Sequence, residues 1–187
     1  NVTDSNIVFT TPTVSLTSYT ATTNLYGNVV LTGTCTGRTS SSTTKGKATL
    51  NVIGTVKTQN DKEAYLVDFT EINISGELRL GNHANLKDSG FSYRYVRSNV
   101  TLSGNGKLIL ERLGSAKDYR TIQSLKSTSS DTEISFPYIY NGTSSSLTGR
   151  PLIVQTSLMV PDNGQLRVST SLMPKHAGKN EYPLIQF

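Results

Sequence analysis

The chain has no tryptophan, two methionines, two histidines and one cysteine in 187 residues. Each shortage closes a route. A single cysteine excludes an intrachain disulfide. Secreted β domains of this size often carry one, so its absence points to folding in a reducing compartment. Cys35 stands among Thr32, Thr34 and Thr36 without a nearby histidine or basic cluster, and reads as a buried structural thiol. His83 and His176 each lie in polar stretches beside Lys, Gly or Asn, with no further ligand at metal spacing. No metal or cofactor is expected.

Other absences narrow the chemistry further. There is no Gly-x-Ser-x-Gly elbow around any of the many serines. Gly104-x-Gly106 precedes strand-like sequence, so it is not the phosphate cradle that opens a helix. The close acids Asp61/Glu63 and Asp131/Glu133 fall at loop-to-strand edges, where they solubilise strand ends. The expectation is a protein that is not an enzyme. No apolar run is long enough to span a bilayer, so membrane insertion is not expected. Eighteen Lys and Arg against thirteen Asp and Glu give a net charge of +5, yet the basic residues are scattered, the densest pairs being Lys45/Lys47 and Arg94/Arg97. Nucleic-acid binders concentrate such charge in blocks or on one helix face, and nucleic acid is not an expected partner.

Core-forming residues are also short. Ala, Val, Ile, Leu, Met, Phe, Cys and Gly total 71 residues, below the roughly 45–50% of an ordinary domain. Ser and Thr fill the gap with 49 residues. Threonine is β-branched and suits a pleated, half-buried surface. A lean core in a long β domain is the argument for sharing stability across subunits, here as a homotrimer.

What is present is alternation. In Glu71–Leu80, Ile72, Ile74, Leu78 and Leu80 take the even positions while Glu71, Asn73, Ser75, Glu77 and Arg79 are polar. Successive strand side chains face opposite ways, so one face is buried and one wet, the pattern of an antiparallel sheet. Strand candidates are Ile7–Thr10, Thr13–Tyr19, Asn28–Thr34, Ala48–Lys57, Ala64–Thr70, Glu71–Leu80, Phe91–Leu102, Lys107–Arg112, Glu133–Ile139, Leu152–Val160, Gln165–Leu172 and Tyr182–Gln186. The expected fold is all-β: an antiparallel β-sandwich or jelly roll of about ten short strands with long Ser/Thr/Gly loops. Residues 1–6 form a polar lead-in and 7–187 a single domain.

Ser103-Gly104-Asn105-Gly106 predicts a hairpin between Val100–Leu102 and Leu108–Leu110. Pro161-Asp162-Asn163-Gly164 predicts another, whose two strands echo each other in Thr156–Met159 and Thr170–Met173. Their spacing is too short for a solenoid repeat. Thr36–Gly46, Gly81–Gly90 and Gly142–Gly149 read as loops. One helical turn is conceivable in Ser115–Leu125, where Tyr119, Ile122 and Leu125 recur at three-residue spacing.

The richest binding constellation is Phe91-Ser92-Tyr93-Arg94-Tyr95-Val96-Arg97. Alternation sets Phe91, Tyr93 and Tyr95 on one face and Arg94 on the other, with Arg97 rejoining the aromatics. Tyrosine stacks on sugar rings, and arginine pairs bidentately with carboxylate or sulfate. The competing reading is an aromatic strand packed inward with wet arginines. Tyr119 and Arg120 form a second candidate. The ligand-binding residues expected are therefore Tyr93, Arg94, Tyr95, Arg97, Tyr119 and Arg120.

In composition (all-β, Ser/Thr-rich, free of disulfides) the chain is similar to the globular heads of trimeric virus and bacteriophage fibres. The likeness runs over the whole chain and rests on no motif, so no residue roles carry over. It implies a host-attachment head on a virion surface, binding a cell-surface receptor that is a glycan, acidic ones included, or a protein. The alternatives are a lectin-like domain of a bacterial fimbrial adhesin on a cell surface, and a structural jelly-roll capsid or appendage protein.

Overall fold

A computed structural model describes residues 2–3, 6–8, 20–36, 47–58, 64–67, 69–81, 84–87, 98–110, 121–136, 152–160, 166–169 and 184–186. Seventeen strands run through them. In chain order they are β1 (Val2–Thr3), β2 (Asn6–Val8), β3 (Thr20–Tyr26), β4 (Asn28–Thr36), β5 (Lys47–Val52), β6 (Thr55–Thr58), β7 (Ala64–Val67), β8 (Glu71–Ile74) and β9 (Glu77–Leu80). There follow β10 (Ala84–Lys87), β11 (Asn99–Leu102), β12 (Lys107–Leu110), β13 (Thr121–Ser127), β14 (Glu133–Ser135), β15 (Leu152–Met159), β16 (Arg167–Ser169) and β17 (Ile185–Gln186).

Every pairing among the described residues is parallel. The first sheet has eight strands in the order β1-β3-β5-β8-β11-β13-β15-β17, and the second has nine, ordered β10-β7-β4-β6-β9-β12-β14-β16 with β2 beside β4. Apart from β7 and β10, which pair with β4 and β7 and extend the second sheet from its other end, the chain alternates between two sheets, laying each new strand beside the one before it on that sheet. This is a parallel β-coil, a solenoid, and it replaces the expected antiparallel sandwich. The sequence pattern could not separate the two. Most parallel sheets are covered on both faces by helices. In a coil each sheet is covered on one side only, by the other sheet, so its strands alternate as antiparallel ones do.

The core is built of stacked aliphatic columns. Leu25, Val52, Ile74 and Leu102 lie in register on the first sheet, beside Leu50, Ile72, Val100 and Leu125. From the second sheet come Val29, Val56, Leu78, Leu108 and Ile134. All are essentially buried, each contributing ~1.5–3 kcal/mol. Below Leu102 the column changes to Ser127. Ser127 and Thr132 are both buried with their hydroxyls 2.6 Å apart; one donates to the other, which in turn donates to the Ser129 carbonyl, 2.9 Å from Ser127 Oγ and 3.0 Å from Thr132 Oγ1.

The passage from first to second sheet is a tight corner that repeats at Tyr26-Gly27, Ile53-Gly54 and Ser75-Gly76. Strand-like bonding continues through it: Thr55 N donates to Gly27 O at 2.7 Å, Glu77 N to Gly54 O at 2.9 Å and Lys107 N to Gly76 O at 2.8 Å. Glycine is required by proximity. A Cβ on Gly54 would strike the Gly27 backbone, and one on Gly76 the carbonyls of Ile53 and Gly54.

These corners correct several expectations. Glu71–Leu80 is two strands on different sheets; the corner at Ser75-Gly76 preserves the alternation, so the run reads as one. Ala48–Lys57 divides in the same way at Ile53-Gly54. Ser103–Gly106 does turn the chain, with Gly104 at φ 57°, but it makes no hairpin: β11 pairs with β8 and β13, and β12 with β9 and β14. Likewise β15 and β16 lie on different sheets, not in one hairpin. The three-residue spacing of Ile122 and Leu125 belongs to strand β13. A register shift between Ile122 and Ser124 turns Gln123 and Ser124 both outward, so the two apolar residues stay inside.

Candidate functional site

With the interior packed by aliphatic side chains, chemistry is left to the outward faces. The two faces differ in kind. On the second sheet, in-register neighbours Glu77, Lys107, Glu133 and Arg167 alternate in sign from coil to coil. They satisfy one another locally. Lys107 Nζ lies 3.8 Å from Glu133 Oε2, Arg79 donates twice to Glu77 Oε1 at 3.2 and 3.1 Å, and Arg167 Nη2 reaches Asp131 Oδ1 at 3.4 Å. Ser169 donates to Glu133, and its Oγ lies 2.9 Å from Ser135 Oγ, which can donate to it in turn. Exposed pairs of this sort contribute ~0–1 kcal/mol each. Such a face is self-neutralising and well hydrated.

The first sheet presents amides and hydroxyls. Asn24, Asn51, Asn73 and Thr101 are in register on four successive coils. Asn51 Nδ2 donates to Asn24 Oδ1 at 2.7 Å, and Asn73 Nδ2 to Asn51 Oδ1 at 2.9 Å. Two residues back along each strand runs a second column, Thr22, Thr49, Glu71, Asn99, Ser124 and Ser157. Ser124 Oγ donates to Asn99 Oδ1 at 2.7 Å, and Asn99 Nδ2 to Glu71 Oε1 at 3.4 Å. Lys47 Nζ stands 3.9 Å from Glu71 Oε1, which balances the column's carboxylate. On the corner side of the amides, Tyr26 and Ile53 are exposed at 37% and 41%.

Extended backbone explains why these side chains share a face: each lies one residue from a buried aliphatic neighbour and so points the opposite way. The hydrogen bonds then hold the amide planes in line. Asparagine has two N–H donors and two acceptor lone pairs. Within the ladder Asn51 uses one donor and one acceptor, leaving one of each directed away from the sheet. Tyr26 adds an exposed ring at the margin. Amides with spare donor and acceptor capacity beside an exposed aromatic are suited to hydroxyl-rich ligands.

The residues expected from sequence, Tyr93, Arg94, Tyr95, Arg97, Tyr119 and Arg120, lie outside the described residues. So do His83 and His176. The strands that follow the two segments are neighbours: β11 pairs with β13, and Gln123 N donates to Ser98 O at 2.8 Å. Cys35 lies opposite Leu66, and its side-chain surroundings are outside the described residues too. Among the described residues there is no cluster of three or more metal-ligating side chains, and no helix long and apolar enough to cross a membrane.

Sequence reading missed Asn24, Asn51, Asn73 and Tyr26. A signal existed: Asn24-Leu25-Tyr26-Gly27-Asn28-Val29, Asn51-Val52-Ile53-Gly54-Thr55-Val56 and Asn73-Ile74-Ser75-Gly76-Glu77-Leu78 share one pattern. Its spacing is uneven, 27 then 22 residues between ladder partners, which hides it from a search at fixed period. No family model, curated protein or solved structure matches the chain.

Proposed function

We propose that this chain is a non-enzymatic attachment module, the receptor-binding part of a viral or phage fibre displayed on the virion surface. It holds a host cell-surface glycan on the outer face of its first sheet. The observation that carries the reading is the hydrogen-bonded amide ladder Asn24–Asn51–Asn73 with exposed Tyr26 at its border. Sugar hydroxyls both donate and accept, as the unused amide positions do, and the apolar face of a sugar ring can lie against a tyrosine. Ladder bonding also fixes the amides before a ligand arrives, which lowers the ordering cost of binding. A homotrimer belongs to the same reading, since single-site glycan contacts are weak and three copies multiply them.

The test is attachment of the purified protein to host-cell panels before and after enzymatic removal of surface glycans. Binding should depend on the glycans and fall about tenfold in Tyr26→Ala, a loss of ~1.4 kcal/mol. Attachment that survives glycan removal would assign a protein receptor instead. Failure to attach to any cell or glycan would end the proposal. A monomer mass by light scattering at micromolar concentration would remove the trimer.

A further inference from the structure

We infer that the ligand of the first-sheet face is a linear, uncharged polysaccharide lying along the coil axis, across the strands. This rests on the attachment reading above and specifies its ligand. The argument is one of direction. Along a strand the outward chemistry changes at every second residue: Lys47, Thr49, Asn51, then Ile53 at the corner. Along the axis it repeats. Asn24, Asn51 and Asn73 offer the same group in the same orientation, held by bonds of 2.7 and 2.9 Å, and Thr101 continues the row with a hydroxyl. Neighbouring parallel strands lie ~4.8 Å apart, a step comparable to one sugar ring in an extended chain. A compact terminal sugar would use one rung of this row. A polymer of like units uses every rung, and each coil then contributes the same increment.

Charge and margin agree with that direction. The row Asn24–Asn51–Asn73–Thr101 carries no ionised group, and the carboxylate beside it, Glu71, already faces Lys47. Tyr26 and Ile53 are exposed at the corner on the two coils that begin the row. The result is a polar strip with an apolar border along part of its length. A sugar chain lying on its edge presents hydroxyls downward and ring faces sideways, which matches both parts. An anionic polymer would find a single cation, Lys126 in register beyond Thr101, and none along the three amides.

The experiment is an array of linear glucans, mannans and galactans, graded from disaccharide to octasaccharide, probed with the full chain. Binding of at least one neutral series should strengthen about tenfold between disaccharide and tetrasaccharide, then level off once the ligand outgrows the four rungs of the row. Thr101→Val, at the far end, should bring that plateau to shorter ligands and weaken tetrasaccharide binding, with thermal unfolding confirming an intact fold. Equal affinity for short and long ligands would overturn the axial placement while leaving glycan attachment standing. So would binding confined to sulfated or sialylated glycans. Failure of every glycan on the array, with cell attachment also absent, would overturn the attachment reading together with this one.

Discussion

The chain crosses between its two sheets in two ways. From first to second sheet it turns through a short glycine corner. That corner is repeated on successive coils, with backbone groups bonded from each corner to the next. From second sheet back to first, the connections vary. Stacked partners on successive coils are 27, 22, 28, 25 and 34 residues apart; the corners at Gly27, Gly54 and Gly76 span one or two residues and later ones up to seven, whereas the returns span ten to eighteen. One edge of the coil is thus set by close backbone approach. The other accepts different lengths of chain, as loops generally do because closure cost grows slowly with length. Sequence constraint and sequence freedom are segregated to opposite sides of the same winding.

Substitutions can break that contrast or sharpen it. The largest effect should come from Gly76→Ala. Its Cβ would meet carbonyls of the previous coil, and backbone cannot yield as a side chain can. A loss of about 4 kcal/mol is expected, at the upper end for a single substitution. It would show as a collapse of the thermal midpoint, and a change under 1 kcal/mol would refute the close-approach account. Next is Asn51→Ala, which removes two ladder bonds and leaves Asn24 and Asn73 without their shared partner. About 1.5 kcal/mol is expected by chemical denaturation, because these amides are only part-buried and water can replace Asn51.

Gly104 sharpens the comparison. It lies in the longer corner of the next coil, 103–106, where Gly106 is the residue that meets the coil before it; nothing lies near the place a Cβ on Gly104 would take, and its requirement is the positive φ of 57° alone. Gly104→Ala should cost about 1 kcal/mol, and Gly104→Asn less, since asparagine tolerates that backbone region. Equal costs at Gly76 and Gly104 would mean that the two glycines serve one purpose. The smallest effect is expected on the return side. Doubling the length of segment 37–46, between β4 and β5, with a Gly/Ser insert should cost only about 0.6 kcal/mol, measured against the parent by urea unfolding. A larger loss would show that this edge is constrained as well.

Much of this was legible in the sequence, and the reasons for the rest are physical. The inward positions Ile72, Ile74, Leu78 and Leu80 follow directly from alternation, and Ser103–Gly106 reads as a turn, though of a hairpin. What alternation cannot supply is the partner of a strand. Val100 and Leu108 could equally face each other across a hairpin or lie on two sheets around a corner, since both arrangements bury the same side chains. Ser75-Gly76 looked like the middle of a strand because the corner keeps odd and even positions in phase. Thr121–Ser127 was obscured by its bulge, which sets Ile122 and Leu125 three apart. The functional surface was legible only in comparison: Asn51 is unremarked as a single polar strand residue, and becomes informative once Asn24 and Asn73 are seen beside it.

The buried hydroxyl pair of Ser127 and Thr132 has a consequence for how the winding keeps count. Leu25, Val52, Ile74 and Leu102 are nearly interchangeable to the forces that hold them, so a coil displaced by one step would still place aliphatic on aliphatic. Ser127 cannot take that step. Moved under Ile74, it would part from Thr132 and the Ser129 carbonyl and strand a hydroxyl in hydrocarbon, at a cost of ~1–3 kcal/mol. It works as a fiducial mark on an otherwise uniform ruler, telling the folding chain which turn carries β13.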